Sequence, residues 1–365
     1  MHSTAAARTQ ELVLAVSQTN YRDTLTLRQE LVVLLRRAVP FDAWCWTLTD
    51  PGSQLVSSGT GNSPAATDLG RFLALEYGGD VLDRLPTMAD DAGPAITVLS
   101  QTTAGDLYRS ARWRELYDPH GVADELRLSL FADGYCWGHL ELLRDRTGRH
   151  FTIEEAEFLL RLGVPMAKAL RAALTCVSAP TTDVPHGPGT LVLDAHDAIQ
   201  ATTPEGDQWV TLLRSYAIPG EPLFPAPVPV LSVAARLRSL PEYSDACLTA
   251  TAAAARVRTR TPAGDWLTIH ASPLTGMAVP TGTVAVTIQR AAPADVAALV
   301  FHAHGLTTRE RQLARLLLDG LPNPEIAQRL YISTYTVRDH VKAVLDKLGV
   351  HSKRELIASI LSPRL

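Results

Sequence analysis

Closely spaced helix start and stop signals near the end of this 365-residue chain constrain its fold more than any other feature. Residues 307–310 (Thr-Thr-Arg-Glu) and 352–355 (Ser-Lys-Arg-Glu) are capping boxes, in which a hydroxyl and a carboxylate bond the free amides that begin a helix. Gly320 and Gly349 stand where a left-handed residue ends a helix. Residues 305–361 therefore predict four short helices in series.

The second and third of these helices are predicted to form a helix-turn-helix. Asn323 caps the second helix, with Pro324 at its first position, and Ser333 caps the third after a short turn. In such a pair the later helix usually enters the major groove of DNA.

The outward face of the third helix carries the predicted base contacts. With Val337 and Val341 packed inward, Thr334, Arg338 and Lys342 lie on the opposite face at steps of four. The two basic side chains can reach guanine edges or phosphates. The neighbouring residue, Asp339, can accept from a cytosine amino group or orient the arginine. Near the helix start, Tyr335 and Thr336 suit phosphate oxygens.

Charge is distributed unevenly along the chain. The net charge is −4, yet residues 301–365 hold ten basic and six acidic side chains, so the remaining 300 residues carry −8. A basic end on an acidic body is typical of a nucleic-acid-binding module joined to a regulatory body.

Residues 305–361 resemble the LuxR-type DNA-binding domain in the order and spacing of many residues. These are Leu306, Thr307, Arg309, Glu310, Gly320, Asn323, Glu325, Ile326, Ala327, Leu330, Ile332, Ser333, Thr336, Val337, Arg338, His340, Lys347, Leu348 and Arg354. The chain departs from the family at Pro324, where a basic or small residue is frequent, and at Asp339, whose charge lowers affinity unless it reads a base.

The resemblance implies a role for each part of the module. The positions that read bases are Arg338, Asp339 and Lys342. The positions expected at phosphates are Asn323, Ser333, Thr334, Tyr335, Thr336 and Lys347. The last helix is expected to form the dimer contact through Leu356, Ile357, Ile360 and Leu361.

Two further modules are predicted upstream. Leu126–Ala132 and Tyr135–Arg144 alternate around the turn Asp133-Gly134, and a capping box at residues 152–155 opens a long helix. This order resembles a GAF domain, an antiparallel sheet with helices on one side. A strand at 190–194, a helix at 203–213 and three strands near residues 255–260, 266–271 and 283–289 follow. This order resembles a PAS domain. The proline-rich stretch 219–229 is predicted as a loop.

The predicted fold class is multidomain α+β, with GAF-like and PAS-like antiparallel-sheet sensor domains followed by an all-α four-helix LuxR-type helix-turn-helix domain. Residues 177–189 hold three prolines and two glycines and predict a linker. The first sensor domain, with its N-terminal helix, is predicted over residues 1–176 and is followed by the linker at 177–189. The second sensor domain is predicted over residues 190–290. A connector helix at 291–304 leads to the DNA-binding domain at 305–365.

Two residue groups in the body have competing interpretations. Five aromatic residues form either a ligand pocket or, as we favour, ordinary core: Trp44, Trp46, Trp113, Tyr117 and Trp137. Arg256, Arg258 and Arg260 share one face of a strand, where a solvated face is favoured over a site for an anion or an acidic partner.

Several protein classes are excluded. The longest apolar run, residues 296–301, is too short to span a membrane, and no convincing signal peptide is present. Four widely spaced cysteines argue against zinc sites and disulfides and favour a reducing cytoplasm. Without a phosphate-binding loop or hydrolase motif, no catalytic residue, cofactor or metal is predicted.

These features together predict a cytoplasmic, homodimeric transcription regulator that binds double-stranded DNA. In the leading interpretation a small-molecule effector or a regulatory protein acts on the body and shifts the DNA-binding dimer between competent and incompetent arrangements. In the alternative, DNA binding is ligand-independent, and the body serves only dimerisation or protein docking.

Overall fold

The computed structural model describes residues 2–19, 21, 23–80, 82, 84, 95–175, 187–214, 224–240, 255–261, 264–274, 276 and 279–356. Within them the chain forms two five-stranded antiparallel sheets, followed by a bundle of helices at the C-terminal end. The fold class is therefore multidomain α+β.

In the described part of the chain, the first sheet lies among five helices. Its strands are β1 Ala43–Thr49, β2 Val56–Gly61, β3 Ile96–Val98, β4 Val122–Ala132 and β5 Tyr135–Asp145. The helices are α1 His2–Ser17, α2 Thr24–Ala38, α3 Leu69–Gly78, α4 Leu99–Thr102 and α5 Ile153–Thr175. The strand order is β2-β1-β5-β4-β3.

Local signals place the central hairpin as predicted. Asp133 and Gly134 both have positive φ, 51° and 80°, which is the backbone twist that a two-residue turn between β4 and β5 requires. After β5, the hydroxyl of Thr152 accepts from the amide of Glu155, and the carboxylate of Glu155 accepts from the amide of Thr152. The capping box at the start of α5 is thereby confirmed.

Both faces of the first sheet are covered, so the prediction of helices on one side is wrong. On one face α1, α2 and α5 pack over apolar residues such as Trp46, Leu126 and Leu140. On the other face, α3 and the helical turn Trp113–Tyr117 cover polar residues of β4 and β5. Alternating polar residues usually mark a solvated face. Here, instead, Arg112 and Arg127 pair with Glu76 and Glu125, and these charged side chains are buried.

The second sheet repeats the topology of the first. Its strands are β6 Gly189–Leu193, β7 Ile199–Thr202, β8 Arg256–Arg260, β9 Trp266–Pro273 and β10 Val284–Arg290, in the order β7-β6-β10-β9-β8. The helices described beside it are α6 Pro204–Arg214 and α7 Val228–Arg238. Thr203 caps α6 by accepting from the amide of Gly206.

Helix α7 joins the two sheet modules. It packs on α3 and β2 of the first module as well as on β9 of its own. The hydroxyl of Tyr77 lies 2.6 Å from that of Ser232 and accepts from the amide of Val56. The predicted loop at 219–229 is wrong at its end, because α7 begins at Val228, and residues 219–223 lie outside the described part. Prolines are compatible with the first turn of a helix, since those amides have no intrahelical partner.

The C-terminal helices form a compact bundle around one apolar core. They are α8 Pro293–Ala303, α9 Thr308–Leu318, α10 Asn323–Leu330 and α11 Thr334–Leu348, and the chain is helical again from Lys353 to Leu356. The core consists of Ala297, Phe301, Leu306, Leu313, Ala314, Leu317, Ile326, Ala327, Leu330, Val337, Val341, Val344 and Leu356. Helix α8 therefore contributes to this core rather than only connecting to it.

Most predicted helix ends in the bundle are confirmed. The capping box of Thr307 and Glu310 is complete, and Gly349 ends α11 with a φ of 67°. Asn323 as the cap of α10 is wrong, because Pro322 occupies the cap position and Asn323 is the first helical residue.

The arginine row on β8 is not a solvated face, which corrects that prediction. Arg258 is 8% exposed and its Nε donates to Asp50 Oδ2 of the first module at 3.0 Å. Arg256 pairs with Asp295 of α8, and Arg260 donates to the carbonyl of Leu174 in α5. The row thus holds the second sheet to both neighbouring modules.

Candidate nucleic-acid interface

The outward face of α11 is open to solvent. Thr334, Arg338 and Lys342 are exposed, while Val337 and Val341 are buried beneath them, as the helical spacing predicts. Among the described residues, no acidic side chain lies within salt-bridge distance (4.0 Å) of either Arg338 or Lys342. Two basic side chains one turn apart are thus available to an external acceptor.

Asp339 is also exposed on α11. Of the two interpretations left open by the sequence, orientation of Arg338 finds no support, because no hydrogen bond or ion pair joins the two side chains within the described structure. The carboxylate faces outward beside the two cations.

The start of α11 is fixed by its cap. The hydroxyl of Ser333 accepts from the amide of Thr336 at 3.0 Å, and the two hydroxyls lie 2.8 Å apart. Tyr335, one of the predicted phosphate contacts, is 72% exposed. The positive end of the helix dipole and these hydroxyls form a surface suited to phosphate oxygens.

One exposed aromatic residue was missed by the sequence reasoning. Tyr331 is 95% exposed in the turn between α10 and α11, and its φ of 53° is left-handed. A short turn before Ser333 was predicted, but nothing in the sequence indicates that the ring of Tyr331 faces solvent rather than the core.

Two predicted phosphate contacts are engaged inside the bundle. The Lys347 ammonium donates to Glu310 Oε2 at 2.7 Å, and Lys353 donates to Asn323 Oδ1. Burial opposes ionisation of Glu310, but the bonds from Lys347 and Thr307 hold the pKa of its carboxyl below the usual range. Lys347 therefore ties the end of α11 to the start of α9.

The predicted dimer contacts are only partly described. Leu356 is 1% exposed and packs in the bundle core, so its side chain stabilises the domain instead of offering an external surface. Ile357, Ile360 and Leu361 lie outside the described residues.

The five aromatic residues considered as a ligand pocket do not converge. Trp46 and Trp137 are fully buried in the core on one face of the first sheet, and Trp44 packs against that core. Trp113 and Tyr117 are buried on the opposite face. Core packing explains all five.

A cavity does exist on the second face, lined by other residues. Its walls include Cys45, Phe72, Glu141 and Phe224. Sequence reasoning missed it, although the polar residues alternating with leucines in β4 and β5 were a signal that this face is unusual.

No group of three His, Cys, Asp or Glu side chains suited to a metal ion occurs in the described ranges. None of the helices that can be described has the length and apolar character needed to cross a membrane.

The C-terminal segment matches a known protein family. The model described as bacterial regulatory proteins, luxR family, matches residues 304–360. The spore germination protein GerE of Bacillus subtilis is 39% identical over 56 residues, which are 15% of this chain and 76% of GerE.

Other similarities are short or remote. The nitrate/nitrite response regulator protein NarL of Escherichia coli is 42% identical over 60 residues, which are 16% of this chain and 28% of NarL. Matches in Mycobacterium tuberculosis span only 6% of the relative. Among solved structures, Escherichia coli SdiA is similar with a TM-score of 0.37 and 13% identity, over 98% of each chain.

Proposed function

This chain belongs to the luxR family of bacterial regulatory proteins, and we propose that it is a cytoplasmic transcription regulator whose two-sheet body controls DNA binding by the C-terminal bundle. The observation that carries the proposal is the outward face of α11. It presents Arg338 and Lys342 without an acidic partner in the described structure, within a segment that matches the family model.

In this proposal α11 enters the major groove. Arg338, Asp339 and Lys342 read base edges, with the arginine suited to a guanine and the carboxylate to a cytosine amino group. Phosphate contacts come from the start of the helix, through Ser333, Thr334, Tyr335 and Thr336. Tyr331 adds an aromatic contact beside them. Asn323 and Lys347 hold the helices together through Lys353 and Glu310. They contact phosphates only if a phosphate oxygen replaces these partners.

Control by the body acts through α8. His302 of this helix stacks on Tyr135 of the β4–β5 hairpin with ring centroids 4.2 Å apart, while Phe301 is buried in the core of the DNA-binding bundle. Asp295, at the other end of α8, holds Arg256. A signal that shifts the hairpin or β8 therefore reaches the bundle directly. The shared strand order of the two sheets supports related GAF-like and PAS-like sensor modules, and the active form is proposed to be a homodimer.

The test is DNA recognition. Fragments bound by the full chain are selected from random DNA, and affinity for selected and random duplexes is measured over a range of salt. Log affinity is expected to fall with log salt by about 0.9 per phosphate neutralised. Arg338→Ala should cost about 1–3 kcal/mol on the selected site and relax preference at one base position.

Arg161→Ala is the matched control, because Arg161 is an exposed arginine on α5, remote from α11 in sequence and in module. It should leave both affinities unchanged. A flat salt response, or equal losses on selected and random DNA for Arg338→Ala, would contradict the proposal.

A further inference from the structure

An internal cavity lies between the first sheet and the helices that cover its polar face. Its apolar wall includes Val56, Leu69, Phe72 and, from the second module, Phe224 and Val228. The unfilled space of the cavity, together with its opening to solvent, is about 560 Å³. Within it, the region in which the centre of a water-sized group fits is about 50 Å³. Since about 10–15 Å³ of such space is enough for one water, the cavity has room for a small molecule of a few non-hydrogen atoms.

One end of the cavity is acidic. Glu141 of β5 is 5% exposed and lines the cavity, and its Oε1 accepts from the hydroxyl of Ser63 at 2.8 Å. Within the described residues, no basic side chain comes within 4.0 Å of this carboxylate. The two nearby arginines are bound elsewhere: Arg112 to Glu76 and Glu125, and Arg127 to the same two glutamates.

Among the described residues, this buried face thus carries three carboxylates, those of Glu76, Glu125 and Glu141, and two cations, Arg112 and Arg127. The titratable and charged groups around Glu141 are Glu76 of α3, Arg112 and Tyr117 of the segment before β4, Glu125 and Arg127 of β4, His139 of β5 and Cys45 of β1. Burial lowers the pKa of His139 to about 3, so this imidazole is neutral and supplies no compensating charge.

We propose that this cavity binds a small organic cation, a primary ammonium with an apolar body of about three carbons, with Glu141 and Ser63 holding the ammonium and Phe72 and Phe224 enclosing the apolar end. This inference deepens the proposed function by naming the class of effector. A buried charge is costly unless it is paired, and an ammonium supplies the missing pair. A neutral or anionic ligand of the same size does not.

The location explains how occupancy is transmitted. Phe224 lies just before α7 and Val228 is its first residue, and this helix packs against both sheets. A ligand in the cavity contacts the two modules at once, and therefore favours one arrangement of them over another.

Proton release distinguishes a cation from other ligands. Burial, together with the charge of Glu125, raises the pKa of Glu141 to about 7. An ammonium binds the ionised carboxylate, so at pH 6 binding is expected to release close to one proton. Affinity should fall about tenfold for each pH unit below 7 and level off above it.

The experiment is calorimetric titration of the full chain with propylammonium, propan-1-ol and propionate. At pH 6 it is run in two buffers that differ in ionisation enthalpy, so that released protons are counted. Propylammonium is expected to bind at least tenfold more tightly than propan-1-ol, and propionate should not bind. Equal binding of the alcohol, or absence of proton release, would overturn the assignment of a cation. Absence of binding by every probe would overturn the cavity as a site.

Three variants complete the test. Glu141→Gln should weaken propylammonium binding at least tenfold and abolish proton release, whereas Glu157→Gln, an exposed carboxylate on α5, should change neither. Ala66→Leu, which fills the cavity and leaves the charge in place, should also abolish binding. If Glu141→Gln binds propylammonium like the wild type, the proposal fails. These titrations contain no DNA, and DNA affinity is measured without amine, so failure of this inference is distinguishable from failure of the proposed function.

Discussion

Buried charged side chains determine how the first sheet is covered. Arg112 donates to Glu125 at 2.7 Å, and Arg127 bonds Glu76 across the gap to α3. Both arginines are at most 5% exposed. Pairs of this kind contribute little net stability but penalise any packing that separates them. They therefore select one placement of α3 against the sheet, and leave Glu141 as the one buried carboxylate of this cluster without a cation among the described residues.

Glu141 is expected to make the stability of the folded protein depend on pH. Its pKa is raised from 4.5 to about 7 in the folded protein, chiefly by burial. A carboxyl whose pKa is raised on folding favours the folded state below its unfolded pKa, and that contribution is lost as pH rises to the folded value. Glu141→Gln should therefore gain stability relative to wild type between pH 4.5 and 7, by up to about 3 kcal/mol.

Urea unfolding at pH 5 and pH 8 measures this difference. Glu157→Gln serves as the exposed control and should show the same difference from wild type at both pH values. A constant stability difference between Glu141→Gln and wild type at both pH values would show that the buried carboxyl titrates normally.

Among the helices, α11 is the one whose proposed DNA contacts depend on how its first turn is capped. Its first turn carries the proposed phosphate contacts, and Ser333 fixes that turn by capping it. The helix that follows is capped in a similar way, since Ser352 accepts from the amide of Glu355 at 3.1 Å. Two serine caps of similar geometry therefore serve helices with different proposed roles.

Replacing each cap separates stability from DNA binding. Ser333→Ala and Ser352→Ala should each lower the free energy of unfolding by about 1 kcal/mol, because each leaves an amide unpaired. Only Ser333→Ala is expected to weaken DNA binding beyond this loss, since it frays the turn that meets the phosphates. Thermal unfolding and duplex affinity are measured on both variants, and identical affinities would argue against the role of the first turn.

At the scale of the whole molecule, β8 is the structural junction. Its arginines reach the loop after β1 through Asp50, the start of α8 through Asp295, and the end of α5 through the carbonyl of Leu174. The Arg258–Asp50 pair is buried, with side chains 9% and 3% exposed, whereas the Arg256–Asp295 pair is partly solvated.

Because the two ion pairs differ in burial, removing each arginine is predicted to lower the free energy of unfolding by a different amount. Arg258→Met leaves a buried carboxylate without its partner and should cost about 3–5 kcal/mol. Arg256→Met is the matched control, two residues away on the same strand. It should lower the free energy of unfolding by no more than about 1 kcal/mol, because the Arg256–Asp295 pair is partly solvated. Urea unfolding monitored by tryptophan fluorescence gives both values. Equal losses would show that the buried pair does not hold the modules together.

Much of the local structure follows from the sequence because its causes are local. The Asp133-Gly134 turn, the capping boxes of Thr152 and Thr307, and the outward spacing of Thr334, Arg338 and Lys342 depend only on neighbours a few residues apart. The family of the C-terminal segment follows from the same short-range pattern. Neighbouring residues can compete for the cap position of a helix. At α10 the cap was predicted at Asn323 but lies at Pro322, so the predicted helix start was displaced by one residue.

Only the tertiary structure decided which polar residues are buried, because burial depends on partners far away in the chain. The alternation in β4 and β5 is equally compatible with a solvated face, and the partners that bury it come from α3 and the segment before β4. Arg258 of β8 pairs with Asp50, some two hundred residues earlier in the chain. The cavity beside Glu141 exists only where two modules meet, so no window of sequence contains it.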